Sequence, residues 1–302
     1  MNSYGDLGML HFLSDDEIEA AQKKGYMCEH LLSLYSLTAN RTALYDHNYP
    51  VYFSGYEEVD LVLFGIIENK KAVWDCIRDL LRLPLKQLNI ISPDRFLPLK
   101  NVTKHYVDWD YHINVSEFDL NLKGKQYKPL RYRINQAEKL GYTIRIGRTI
   151  TSRHLYILSR HIARHPLDVW DLEELVSLPR FFTEHNHGFM MEVHHNGKLL
   201  GFDVIDFFEE KRVMAVPLGI YLDAPSLTDY IMYENLRYAK NAGYGWLDVG
   251  LTCRNPGLRD FKEKWLAKPK YKLCVQTIDR PNSTLLPGIP VSKCSQGWIQ
   301  LN

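Results

Sequence analysis

The sequence predicts an α/β protein of two similar units in tandem, each a mixed sheet flanked by helices. Three observations predict it. Strand-like apolar runs alternate with amphipathic helical stretches over 302 residues, enough for two domains or one large one. A hairpin, helix, strand, helix, strand order in the first half is followed, from Tyr142, by a strand, helices, a three-strand meander, a helix and a strand. A composition of 45% apolar and 24% charged residues is ordinary for a soluble globular chain. The expected division is a degenerate unit over 1–142 and a unit over 143–302 that carries the cleft and an irregular C-terminal arm.

Each element has its own signal. Residues 14–24 open as a capped helix, with Ser14 as N-cap and Glu17 three residues on, and a second helix covers 28–37. Tyr- and Val-rich runs at 49–55 and 59–67 predict a hairpin. Val73, Ile77, Leu80 and Leu81 share one face of a helix over 72–83, and strands follow at 87–91 and 106–115. Leu130, Ile134 and Ala137 recur at helical spacing until Gly141 stops them, and a strand covers 143–148. Helices at 152–165 and 169–185 lead to strands at 188–195, 198–208 and 213–222, the first two joined at Asn196-Gly197. Ser226 is the expected N-cap of a helix that buries Ile231, Leu236 and Ala239 and ends at Gly243. A strand at 246–250, a Pro-Gly-initiated helix with Phe261, Lys262, Lys264 and Trp265, and a strand at 271–275 complete the order. The segment from Leu130 parallels that from Leu258 in element order, the expected trace of a duplication.

Composition excludes several classes. A formal charge of +1 confines any polyanion site to a local patch. No run reaches the ~18 apolar residues of a membrane span, and MNSYGDLG has no leader pattern. The scattered cysteines Cys28, Cys76, Cys253, Cys274 and Cys294 suit a reducing, cytoplasmic setting. No Walker loop, strand-linked GxGxxG or Ser-His-Asp order supports an NTPase, Rossmann or hydrolase reading. His161 and His165 lack the Glu of a metalloprotease helix, and His185/His187 and His194/His195 lack ligand spacing, so no metal is expected.

Two stretches carry a family resemblance. GKQYKPLRYRINQAEKLGYTI, residues 124–144, resembles the basic helix before the second GNAT unit of phosphatidylglycerol lysyltransferase C-terminal-like (DUF2156-like) proteins. LDVGLTCRNPGLRDFKEKW, residues 247–265, resembles the strand–loop–helix ending of that family and of Fem-type aminoacyltransferases. The likeness covers residues 105–280 and implies a tandem GNAT-fold enzyme without a bound cofactor. It would move an aminoacyl group from aminoacyl-tRNA to an amine or hydroxyl on a small molecule, peptide or lipid headgroup. Acyl-CoA-dependent N-acyl transfer, or a non-catalytic binding role on the same fold, is the alternative. One departure bears on that choice. Coenzyme A-dependent members hold pyrophosphate on a glycine-rich helix start, whereas LDAPSLTDY here has Asp223 and no glycine.

The same resemblance implies that Lys262 faces the cleft and stabilises an oxyanion; the alternative is a solvated lysine beside Lys264 and Lys268. Asp248 alternates with apolar neighbours on its strand. It, or the substrate itself, manages the acceptor's proton, unless it merely bonds the adjoining loop at Arg254. Asp203 and Asp206 pose the same choice. Gly219, Tyr221 and Tyr230 line the expected cleft, and Thr252, Arg254 and Asn255 contact polar substrate groups, with helix capping the alternative for Asn255. Between Lys123 and Arg148 stand eight Lys/Arg and one acid, Glu138. Lys128, Arg131 and Arg133 are the candidate tRNA-phosphate contacts there, against a solvated basic face.

Overall fold

Alternation within one long strand sets the two faces of the sheet. In β6 (Lys104–Asn114), Tyr111 and Ile113 turn to an apolar core, while Asp108, Asp110 and His112, two residues apart, turn to the other side. The computed structural model describes residues 10–12, 41–45, 49–53, 58–62, 70–81, 85–93, 95, 97, 102–164, 188–252 and 255–279. Around β6 stand β1 (Leu10–Phe12), β2 (Arg41–Tyr45), β3 (Tyr49–Phe53), β4 (Glu58–Val62), α1 (Lys70–Leu80) and β5 (Gln87–Ser92). After it come α2 (Lys128–Lys139), β7 (Thr143–Gly147), α3 (Ser152–Arg164), β8 (Phe189–His195), β9 (Lys198–Phe208) and β10 (Val213–Tyr221). The chain continues through α4 (Leu227–Asn241), β11 (Trp246–Leu251), α5 (Pro256–Lys264) and β12 (Lys268–Asp279).

These strands form one 12-stranded sheet in the order β1-β2-β3-β4-β5-β12-β6-β11-β10-β9-β8-β7. The pair β4 and β5 is parallel across α1, and the pair β10 and β11 is parallel across α4. The strand after each pair crosses over: β6 pairs with β11, β12 pairs with β5, and the two run antiparallel to each other. The order β4-β5-β12-β6-β11-β10 therefore reads alike from both ends. The sheet relates β4–α1–β5–β6 to β10–α4–β11–β12, in place of the expected likeness between the segments at Leu130 and Leu258.

Two cores hold the C-terminal half. Leu130, Ile134 and Ala137 of α2 meet Ile231, Leu236 and Ala239 of α4 over Leu247 and Val249, and Trp265 closes the end. On the opposite face, Ile157 and Leu158 of α3 cover Met190, Phe202, Val204, Leu218 and Ile220. The stripes that predict these helices are the ones buried. The predicted hairpin is β3–β4, and β12 runs well past 271–275 because it has a partner on each side. Ser226 does stand before α4, but with φ 60 its hydroxyl donates to Gln136 Oε1 at 2.7 Å, tying α4 to α2 instead of capping. The helices expected at 14–24, 28–37 and 169–185 and the C-terminal arm lie outside the described residues.

Candidate functional site

The middle of the sheet opens where β10 and β11 part. Their parallel pairing covers only Val213–Ala215 against Trp246–Asp248. Beyond it both strands change register with their other neighbours: β10 against β9 between Ala215 and Leu218, and β11 against β6 between Asp248 and Leu251. Pro217, which has no N–H to give a ladder, sits in the first irregularity, and Gly250, at φ 75, sits in the second. The strands diverge toward their C-terminal ends, the side where open α/β sheets take ligands.

On the β10 wall, Gly219 is opposite Asp203 and Tyr221 is opposite Gly201. The Tyr221 ring lies over both glycines and its hydroxyl donates to Asp203 Oδ1. A Cβ on Gly219 would overlap Tyr221 Oη and stand 2.6 Å from Asp203 Oδ1. The close approach expected at Gly219 is thus made by the protein's own side chains. Asn235 of α4 donates to Asp203 Oδ2 at 2.6 Å. Burial pushes the Asp203 carboxyl up to about 7, with the Tyr221 and Asn235 bonds opposing, and burial beside Asp203 raises the Tyr221 phenol well above its usual value.

On the β11 wall, Lys262 is 4% exposed. Its ammonium donates to the Gly250 carbonyl at 2.6 Å and to the Leu251 carbonyl, locking α5 onto the strand end. The solvated alternative is thereby removed. Asp248 is fully buried, and its Oδ1 accepts the Gly250 amide at 2.8 Å. Thr252 donates to Asp108 Oδ1. Asn255 caps α5, accepting the Leu258 amide at 3.2 Å. Lys262, Asp248 and Thr252 therefore gather at the end of β11. Tyr230 instead donates to the Tyr142 carbonyl at 3.2 Å inside the α2–α4 core, and Arg254 lies outside the described residues.

Behind this wall is a group that the sequence reading missed. His112 is the direct cross-strand partner of Asp248, and Asp110 is two residues along on the same face. His112 Nε2 lies 3.3 Å from Asp110 Oδ2 and 3.5 Å from Asp248 Oδ2, while Lys270 Nζ stands 3.4 Å from Nδ1. All three residues are at most 1% exposed, and their donor atoms lie within 4.8 Å of one another, so they have the composition and spacing to hold a metal ion. The signal was present in Asp-Trp-Asp-Tyr-His, residues 108–112, which places a polar group at every second strand position.

The start of α4 already holds its own negative charge. Asp229, in the first turn, accepts from Trp265 Nε1 at 3.0 Å and pairs with Lys264 at 2.5 Å. With Asp223 exposed just ahead of it, this helix end offers little to a pyrophosphate. The basic residues of α2 divide. Lys128 and Arg133 are exposed beside Tyr132, which is 64% exposed, whereas Arg131 turns inward to the carbonyls of Leu122 and Gly124.

The comparisons agree with this architecture. Among solved structures the chain is similar to L-PGS from Bacillus licheniformis, with TM-score 0.61 and 17% identity over 90% of this chain and 93% of that one. It is similar to a tandem GNAT protein from the clavulanic acid biosynthesis pathway, with TM-score 0.56 and 9% identity over 89% and 98% of the two chains. FemX matches with TM-score 0.54 and 11% identity over 90% and 97%. These likenesses establish a GNAT-like fold. No curated protein matches the sequence. The family model for the C-terminal region of phosphatidylglycerol lysyltransferase matches residues 91–272, which include β6, both walls of the opening and the start of β12. The chain belongs to the phosphatidylglycerol lysyltransferase C-terminal family, transferases of GNAT-like fold.

Proposed function

We propose that the protein transfers an aminoacyl group from aminoacyl-tRNA to an amine or hydroxyl acceptor, with the donor ester in the opening between β10 and β11. The observation that carries this reading is the opening itself. The β10–β11 ladder stops at Ala215–Asp248, so backbone groups of β10 beyond it can meet a carbonyl inserted edge-on. The Lys262 ammonium, held at the end of β11, places a fixed positive charge beside the oxyanion that forms when the acceptor attacks. The acceptor's proton passes to the departing ribose oxygen, so the substrate manages it. Asp248, bonded to the Gly250 amide, shapes the wall.

Two features favour tRNA over coenzyme A as donor. The α4 N-terminus is occupied by Asp229 and its partners, and the exposed face of α2 presents Lys128, Arg133 and Tyr132, charges and a stacking ring suited to an RNA strand. An acceptor on a lipid headgroup fits the family's name. Among the described residues no helix is long and apolar enough to cross a membrane.

The test is transfer from a pool of tRNA charged with labelled amino acids, offered amine acceptors and phosphatidylglycerol vesicles. Label appearing on an acceptor faster than the ester hydrolyses alone supports the reading. Label lost only at the spontaneous hydrolysis rate, with every acceptor, contradicts it.

A further inference from the structure

We infer that Asp110, His112 and Asp248 form a divalent-cation site inside the sheet, of the class that takes zinc or manganese. The donor set is two carboxylates and one imidazole, a mixed oxygen–nitrogen set that both ions accept. Its frame is rigid. His112 and Asp248 are paired across β6 and β11, and Asp110 follows His112 at the same-face spacing of one strand. His112 Nε2 is 3.3 and 3.5 Å from the two carboxylate oxygens, and such separations suit ligands of one ion at bond lengths of about 2.0–2.3 Å.

The distances favour a shared centre over a direct pair. Elsewhere in the protein each histidine takes its own carboxylate oxygen, His194 Nε2 one oxygen of Glu192 at 2.7 Å and His154 Nε2 the other at 3.2 Å. His112 Nε2 instead stands 3.3 and 3.5 Å from two carboxylates, longer than a charge-assisted bond. One N–H also points along one direction, and these are two acceptors.

Lys270 makes the site selective in a testable way. An ammonium can only donate, so its approach to Nδ1 at 3.4 Å leaves the ring proton on Nε2, the nitrogen that faces the carboxylates. A cation on Nε2 requires the proton on Nδ1, which expels the ammonium. Lys270 is exposed and can swing to solvent. Ion and lysine therefore compete for the two sides of one ring.

The test is calorimetric titration of the chelator-treated 302-residue chain with zinc chloride and with manganese chloride, in the absence of RNA and acceptor. The site predicts one equivalent bound, at least tenfold weaker binding in His112→Gln and Asp110→Asn, and tighter binding in Lys270→Gln. Circular dichroism of each variant confirms that it is folded, and two independent ligand variants keep the outcome readable if one is not. No binding by the folded wild-type protein, or binding unchanged in both ligand variants, overturns the site. Either result leaves the transfer reading where it stands, because no donor or acceptor is present.

Discussion

Lys262 shows how a residue's environment revises what its sequence neighbours suggest. Among Lys264 and Lys268 it reads as one more helix charge, yet its ammonium is buried on the Gly250 and Leu251 carbonyls. Charge-assisted bonds of this kind are worth roughly 1.5–3 kcal/mol each, and the cost of burying the ammonium offsets part of the pair, so Lys262→Ala should lower unfolding free energy by about 2–4 kcal/mol. Urea denaturation checks this, and an unchanged midpoint would mean the ammonium is not anchored. Asp203 gives a pH signature. Its folded value of about 7 lies above the ordinary 3.8, so the folded state holds a proton that the unfolded chain has released between those values. Its contribution to stability is full below about pH 4, falls as pH rises toward about 7 and is flat above. Asp203→Asn should remove that slope; identical pH dependence of unfolding in wild type and variant would contradict the buried assignment.

At the scale of elements, the periodic stripes were legible and the irregularities were not. Leu130, Ile134 and Ala137 could be read as a buried face because only a helix brings them together. The parting of β10 from β11 depends on register shifts against β9 and β6, the second of them well over a hundred residues away, and Pro217 alone does not announce it. Gly219 was legible as a close-approach position, but not what approaches. Gly219→Ala should destabilise by roughly 1–3 kcal/mol through overpacking against Tyr221 and Asp203. Adding Tyr221→Leu should restore part of the loss, and strict additivity in a double-mutant cycle would show that the tyrosine is not the obstacle. On α2, Lys128→Ala/Arg133→Ala should weaken RNA binding and flatten its salt dependence, by filter binding at several salt concentrations. An unchanged salt slope would remove α2 from the interface.

At the scale of the molecule, the tandem order could be read from the chain, but the exchange of β6 and β12 could not. Nothing local distinguishes a strand that pairs within its own half from one that pairs with the other half. A division at 142/143 gives each half a strand that sits among the other's: β12 between β5 and β6, and β6 beside β11. Residues 143–302 expressed alone should aggregate, since β11 and β12 would lack β6, and co-expression with 1–142 should rescue them. A soluble, cooperatively folded 143–302 fragment would contradict that dependence. The His112 group was hidden for the same reason, because Asp248 meets it only across the β6–β11 pairing.

An aminoacyl donor carried on RNA is tested most directly by binding. The measurement compares charged tRNA with coenzyme A and acetyl-CoA, by filter binding and thermal shift, at low and raised salt. Tight binding of charged tRNA that weakens steeply with salt, and no thermal shift from either coenzyme, is the expected result. Stabilisation by coenzyme A with no binding of charged tRNA would contradict it.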